Sequence, residues 1–265
     1  DKPIPPGDPW RAGTRGRRSA AAQGITARCG LPRPATEGLT APARAAHGSG
    51  MPKRFLLACL LWTTPAAACQ TALVLAMDVS NSVDPGEYRL QTDGLAAALR
   101  DPAIAEIMVR DQVALAVVQW SGVDRQVRSL GWQQMLSPAH LERFAVAVET
   151  MPRAFVLSDT APAEALDFAR RQFDDAPRCA RRIVDMSGDG TPNAGGEPGP
   201  ARRRAERAGI TVNGLAIEGL GVAITNFYSR SVITRDGFVE TARGHRDYAR
   251  AIRRKILREI STVLG

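Results

Sequence analysis

Compact apolar runs closed by small and polar residues punctuate the chain from residue 72 onward. The first, Ala72 to Met77, ends in Asp78-Val79-Ser80-Asn81-Ser82, and a later one, Ile183 to Met186, ends in Ser187-Gly188-Asp189-Gly190. Runs of this length bounded by turn formers are expected as buried parallel strands that end in loops. Asp84-Pro85-Gly86-Glu87 carries a helix start, with Asp84 as N-cap, Pro85 at the first helical position and Glu87 reaching back. Tyr88, Thr92, Leu95 and Leu99 then recur at the spacing of one helix face. Val113 to Trp120 is the next expected strand and Gln126 to Trp132 a short edge strand. Ser137-Pro138 opens a helix with Leu141, Phe144 and Val148 inward, and Thr160 introduces another to about Phe173. Gly195 to Pro200 reads as a flexible turn into an Arg-rich helix, followed by strands at Thr211 to Ile217 and Phe238 to Thr241 and a closing helix from Arg246 to Val263. Glu218 to Thr234 contains Gly and shows no assignable period. Strand–helix alternation of this kind predicts a doubly wound α/β domain with a mostly parallel sheet flanked by helices. Residues 70–265 suffice for one such core and not for two.

The two loops that follow the strands carry the candidate chemistry. In an open α/β sheet, ligands bind where strands end at their carboxyl side. Asp78, Ser80 and Ser82 alternate just past a strand end, so one curled loop can aim all three side chains at a common point. Hydroxyls and carboxylates are hard oxygen donors suited to Mg²⁺, Mn²⁺ or Ca²⁺. Ser80 and Ser82 can ligate such an ion directly, while Asp78 and Asp189 offset its charge. Two carboxylates and neutral hydroxyls leave the ion open to one more oxygen from a partner. The bland alternative is local: Ser82 and Asp84 cap the next helix, and Asp189-Gly190 is only a turn.

Asp-x-Ser-x-Ser after one strand, a distant Thr and an Asp-Gly after a later strand together resemble the metal-ion-dependent adhesion site of von Willebrand factor type A domains. The Thr that fits by position is Thr160, in Leu157-Ser158-Asp159-Thr160-Ala161-Pro162, with Asp159 and Ser158 as alternatives and a plain helix cap as the structural reading. The resemblance implies a doubly wound, Rossmann-like fold and a metal set of Asp78, Ser80, Ser82, Thr160 and Asp189, with Mg²⁺ the first expectation. The second loop, the Asn213 to Ile217 strand and the basic closing helix also resemble a group of secreted bacterial proteins, domain of unknown function 1194. The likeness runs from about residue 70 to the C-terminus.

Charge changes the picture less than it first suggests. The chain of 265 residues has a formal net charge of +8. Residues 1–50 and the Lys53-Arg54 pair hold most of this excess, and the chain from residue 69 onward is close to neutral. Arg202-Arg203-Arg204 and Arg253-Arg254-Lys255 lie in helical stretches with Glu nearby and read as solvated faces. No nucleic-acid module is expected. Met51-Pro52-Lys53-Arg54, an apolar core to Trp62 and Ala66-Ala67-Ala68 have the layout of a secretory signal peptide over 51–68. That core is too short to span a membrane. Residues 1–50, rich in Pro, Gly, Ala and Arg, read as a disordered leader or as sequence upstream of an initiator at Met51.

Cys69 and Cys179 precede the two site-bearing strands at nearly equal distances. If those strands are parallel neighbours, the two thiols meet at the end opposite the site, and an oxidising compartment permits a disulfide. The rival reading makes Cys69 a lipidated first residue. The favoured function is a periplasmic or secreted module that binds a partner's carboxylate through a divalent cation. A metal-dependent hydrolase is the alternative, weakened because His140 and His245 sit near helix starts in no zinc-binding spacing. No phosphate-binding or dinucleotide loop is present, so no enzyme is expected. A structural interaction domain with a vestigial site is the third reading.

Overall fold

The structure is a computed structural model that describes residues 69–261. The expected leader over 1–50 and signal segment over 51–68 lie outside the described residues.

Strand β1, Thr71–Asp78, is buried along its whole length and forms the middle of the sheet. Helix α1, Pro85–Leu99, starts with the expected capping box: Glu87 N donates to Asp84 Oδ1 at 2.8 Å and Asp84 N donates to Glu87 Oε2 at 2.9 Å. The expected inward face of Tyr88, Thr92, Leu95 and Leu99 is buried. A second helix, α2, Pro102–Arg110, was not expected. Asp101-Pro102 repeats the start signal of Asp84-Pro85, and Ile104 and Met108 bury one short face. Strands β2, Ala114–Trp120, and β3, Gln126–Gln134, follow, and β3 is the antiparallel edge strand. Helix α3, Pro138–Glu149, is capped by Ser137 and buries Leu141, Phe144 and Val148 as expected.

Helix α4, Pro162–Arg171, starts two residues later than expected. Its capping position is Ala161, which has no polar side chain, so Thr160 is not a helix cap. Strand β4, Arg181–Gly188, leads to helix α5, Pro198–Arg207, and strand β5, Thr211–Ile217. The unassigned stretch contains helix α6, Ala223–Phe227, and a π-helical turn, Tyr228–Val232. The buried Glu218 organises it by accepting from Thr225 N at 2.7 Å and Ile224 N at 3.3 Å. Strand β6, Val239–Ala242, and a 3₁₀ turn, His245–Asp247, precede the closing helix α7, Tyr248–Ile260.

The six strands lie in the order β3-β2-β1-β4-β5-β6, all parallel except β3. Alternation along the strands divides the core into two layers. Leu73, Leu75, Met77 and Ile183 pack with Leu95, Leu99, Phe144 and Ile252, which places α1, α2, α3 and α7 on one face. Val74, Ala76, Val184 and Met186 pack with Leu166, Ala201, Ala205 and Tyr228, which places α4, α5 and the π-turn on the other. The chain leaves β1 for β2 in one direction and β4 for β5 in the other, so the seam between β1 and β4 is the topological switch point.

At the amino ends of these strands, Cys69 and Cys179 form a disulfide with Cα atoms 4.6 Å apart and a sequence separation of 110. In the chain-entropy account, a closed loop of that length contributes about 4–5 kcal/mol.

One expectation about charge is corrected. Lys255 is not on a solvated face but fully buried, with Nζ 2.7 Å from Asp185 Oδ1 and 2.5 Å from Glu259 Oε1. Its position on the inner stripe of α7, beside Ala251, Ile252 and Ile256, overrides the composition of the basic run.

Candidate functional site

Parallel pairing aligns Met77 with Ser187, so Asp78 and Gly188 emerge side by side and Asp189 follows at the carboxyl end of the same seam. Asp78 is fully buried. Its Oδ1 accepts from Ser80 N at 2.7 Å, which turns the chain sharply enough to bring the two serines round. Ser80 Oγ and Ser82 Oγ then lie 3.2 Å apart, and Ser82 Oγ donates to Asp189 Oδ1 at 2.6 Å. The structure thus brings four of the sequence-selected residues, Asp78, Ser80, Ser82 and Asp189, into one cluster.

Thr160 arrives on a separate loop and is almost fully buried. A Cβ placed on Gly190 would lie 3.6 Å from Thr160 Oγ1. Thr160 and Ser82 line the same surface cleft, of about 430 Å³, together with Asn81 and Asn193. Of its neighbours, Ser158 uses its side chain and Asp159 its main-chain carbonyl to hold the loop. Ser158 Oγ accepts from Gly122 N at 3.3 Å, and the Asp159 carbonyl accepts from Ser121 Oγ at 3.0 Å.

Three loops make this cluster, and each is braced to another. Asn81 N donates to the Ser158 carbonyl at 2.9 Å, joining the first loop to the second. Asn193 Oδ1 accepts from Thr160 N at 2.7 Å while Asn193 N donates to the Thr160 carbonyl at 3.1 Å, joining the second to the third. Arg153 Nη2 donates to the carbonyls of Val79 at 3.0 Å and Ser80 at 2.9 Å. Asn193 and Arg153 carried no sequence signal, because their role depends on loops that meet only in the fold.

The electrostatics favour a bound cation. Burial, with the Asp189 charge adding to it, pushes the Asp78 carboxyl up to about 7. Asp78 Oδ2 is buried and accepts no hydrogen bond. A buried carboxylate oxygen without a donor is costly. The Tyr228 hydroxyl is buried nearby, also unpartnered, and burial together with the Asp78 charge keeps it protonated well beyond its ordinary range. Gly188 separates the two: a Cβ there would lie 2.9 Å from Asp78 Oδ2 and 2.5 Å from the Tyr228 hydroxyl. Two carboxylates, one of them with an unpaired buried oxygen, and two hydroxyls are the donor set that a hard divalent ion takes.

In sequence His245 carries no signal beyond its place near a helix start. The structure places it here, with Nδ1 3.1 Å from Glu87 Oε1 and Nε2 3.8 Å from Asp189 Oδ2. The other histidine, His140, has Nδ1 2.8 Å from Ser137 Oγ at the start of α3.

A central parallel sheet with helices on both faces and a Ser- and Asp-bearing cluster at its carboxyl edge defines a von Willebrand factor type A-like α/β domain. Three solved structures share the fold. Proximal thread matrix protein 1 from the mussel byssus matches with a TM-score of 0.55 at 18% identity, over 73% of this chain and 47% of that one. A second structure of that mussel protein, described with a zinc-occupied metal-ion-dependent adhesion site, matches with a TM-score of 0.55 at 16% identity, over 73% and 46%. The pilus adhesin SpaC from Lactobacillus rhamnosus GG, in an open conformation, matches with a TM-score of 0.55 at 12% identity, over 73% and 30%. The chain therefore spans less than half the length of these proteins. Residues 68–264 match the family described as "Protein of unknown function (DUF1194)", and the chain belongs to that family. No curated protein matches it.

Proposed function

We propose that this domain is an interaction module that holds a divalent cation, Mg²⁺ in first place with Mn²⁺ and Ca²⁺ as alternatives, and uses it to bind a carboxylate of a protein partner. The observation that carries this reading is the buried, unpartnered Asp78 Oδ2 set among Ser80, Ser82 and Asp189. Asp78, Ser80, Ser82, Thr160 and Asp189 would hold the ion. When bound, the ion supplies a positive centre with room for one external oxygen. The chain's own part is to orient the oxygens and keep them ordered through the braces between the loops. The adjoining cleft exposes Leu157 almost completely beside Ser82 and Thr160, which offers an apolar edge to whatever approaches.

Ser82 Oγ and Asp189 are read as donors to the cation and not as a nucleophile with its base. Ser82 donates to a carboxylate that also faces an imidazole, but it lies on the donor side of a cation site. This favours binding over hydrolysis. The disulfide supports an oxidising compartment, periplasmic or extracellular. Among the described residues, no helix is long and apolar enough to cross a membrane.

The test is thermal unfolding of the full chain titrated with Mg²⁺, Mn²⁺ and Ca²⁺, beside Asp78→Ala. Saturable stabilisation that the variant loses supports the reading. A wild-type chain that shifts with none of these ions at millimolar concentration overturns it.

A further inference from the structure

Beside the proposed site lies a second constellation built from three distant parts of the chain. Glu87 stands on the first turn of α1, Asp189 past β4, and His245 on the turn before α7. One ligand atom from each lies within 4.8 Å of the other two. The His245 side chain is only 9% exposed, and its Nε2 is buried without a hydrogen bond while aimed at Asp189 Oδ2, 3.8 Å away.

Here each ring nitrogen meets a carboxylate oxygen. Nδ1 lies 3.1 Å from Glu87 Oε1, while Nε2 is left without a hydrogen bond and faces Asp189 Oδ2 across 3.8 Å. A cation between Nε2 and Asp189 Oδ2 would give that unpartnered nitrogen a partner. Bonds of about 2.1 Å to nitrogen and oxygen reach across up to about 4.2 Å, so the gap admits one ion. A carboxylate on the far ring nitrogen is the arrangement that fixes a ligating histidine's tautomer and raises its basicity.

We propose that His245 Nε2 and Asp189 Oδ2 bind a second divalent ion, of the imidazole-accepting transition-metal class typified by Zn²⁺, with Glu87 steadying the ring. Asp189 then bridges two sites: Oδ1 turns to Ser82 and Oδ2 to His245. Imidazole selects against Mg²⁺ and Ca²⁺, so the two sites differ in the ions they take. The inference does not need the first site to be loaded.

The experiment is equilibrium dialysis of the full chain against Zn²⁺ in saturating Mg²⁺, with metal counted per chain. It is paired with pulsed paramagnetic resonance of bound Cu²⁺, an imidazole-accepting ion, to detect imidazole nitrogen. The wild type is expected to take up one Zn²⁺ per chain and to show nitrogen coupling. His245→Ala is expected to lose both while keeping its Mg²⁺-dependent thermal shift. Glu87→Gln, which leaves an oxygen for the helix cap, is expected to weaken Zn²⁺ about tenfold, and it decides the matter if His245→Ala does not fold. Absence of Zn²⁺ uptake by the wild type, or equal uptake by both variants, overturns the second site. If the Mg²⁺ shift is absent but His245-dependent Zn²⁺ uptake persists, the proposed function falls and this inference stands.

Discussion

Strand β4 carries two acidic groups toward very different fates. Asp185, in mid-strand, pairs with Glu259 across a buried Lys255, and Asn213 Nδ2 donates to Glu259 Oε1 at 2.8 Å. Asp189, just past the strand's end, meets Asp78 with hydroxyls and no ammonium or guanidinium in contact. Burial raises the carboxyls of Asp185 and Glu259 above their ordinary values, and Lys255 opposes the rise. At Asp78 the neighbouring charge adds to burial instead. The chain supplies its own cation to the first pair, which makes that cluster structural. It gives the second pair no cation of its own, which is the basis of the proposed site.

The largest effect expected from breaking this contrast is at Lys255. Lys255→Met strands two buried carboxylates, and urea unfolding should show a loss of about 3–5 kcal/mol. Adding Asp185→Leu and Glu259→Leu should recover much of that loss, because an apolar replacement of a buried ion set is often neutral or better.

Asp78→Asn should behave in the opposite sense. The amide keeps an acceptor for Ser80 N but removes a buried charge that has no partner, so the metal-free chain should unfold at the same temperature or higher. What it should lose is the cation response. At a hundredfold excess of ion over its dissociation constant, that response is about 2.7 kcal/mol. Calorimetry with and without Mg²⁺ reads both quantities.

Gly188→Ala probes the wall between Asp78 and Tyr228. Its methyl meets the tyrosine hydroxyl and the carboxylate at sub-contact distance. Overpacking of this kind costs about 1–3 kcal/mol. Part of the cost should fall on cation affinity, visible as a weaker Mg²⁺ midpoint.

The smallest effect calibrates the others with an exposed pair. Arg250 Nε lies 2.6 Å from Asp247 Oδ1 and holds that carboxyl down to about 2. A depressed carboxyl contributes stability above its unfolded value near 4, and the contribution disappears as pH falls through about 2. Solvent screening keeps it below about 1 kcal/mol. Denaturant midpoints between pH 5 and 2 should fall slightly less steeply in Asp247→Asn than in the wild type.

Much of this was legible in sequence because it is local. The capping box at Asp84 and Glu87, the buried runs of β1 and β4 and the inward stripe of α3 follow from spacing alone. The helix α2 was missed because nine residues give only two buried positions, too few for a period. Lys255 was misjudged because a basic run looks solvated until the helix is rotated against a sheet that carries Asp185. Glu87 was read as a cap, and its Oε2 does cap, but Oε1 faces His245 across the fold.

By itself the sequence determined the doubly wound domain and nominated Asp78, Ser80, Ser82 and Asp189, since strand ends and turn chemistry are written within a few residues, while Thr160 came only from the family resemblance. Tertiary structure alone decided that those four cluster beside Thr160, that Asp78 Oδ2 lacks a donor and that His245 joins Asp189. Those outcomes depend on the parallel register of β1 and β4 and on the return of the chain before α7. Packing of distant segments fixes both, and no local pattern records it.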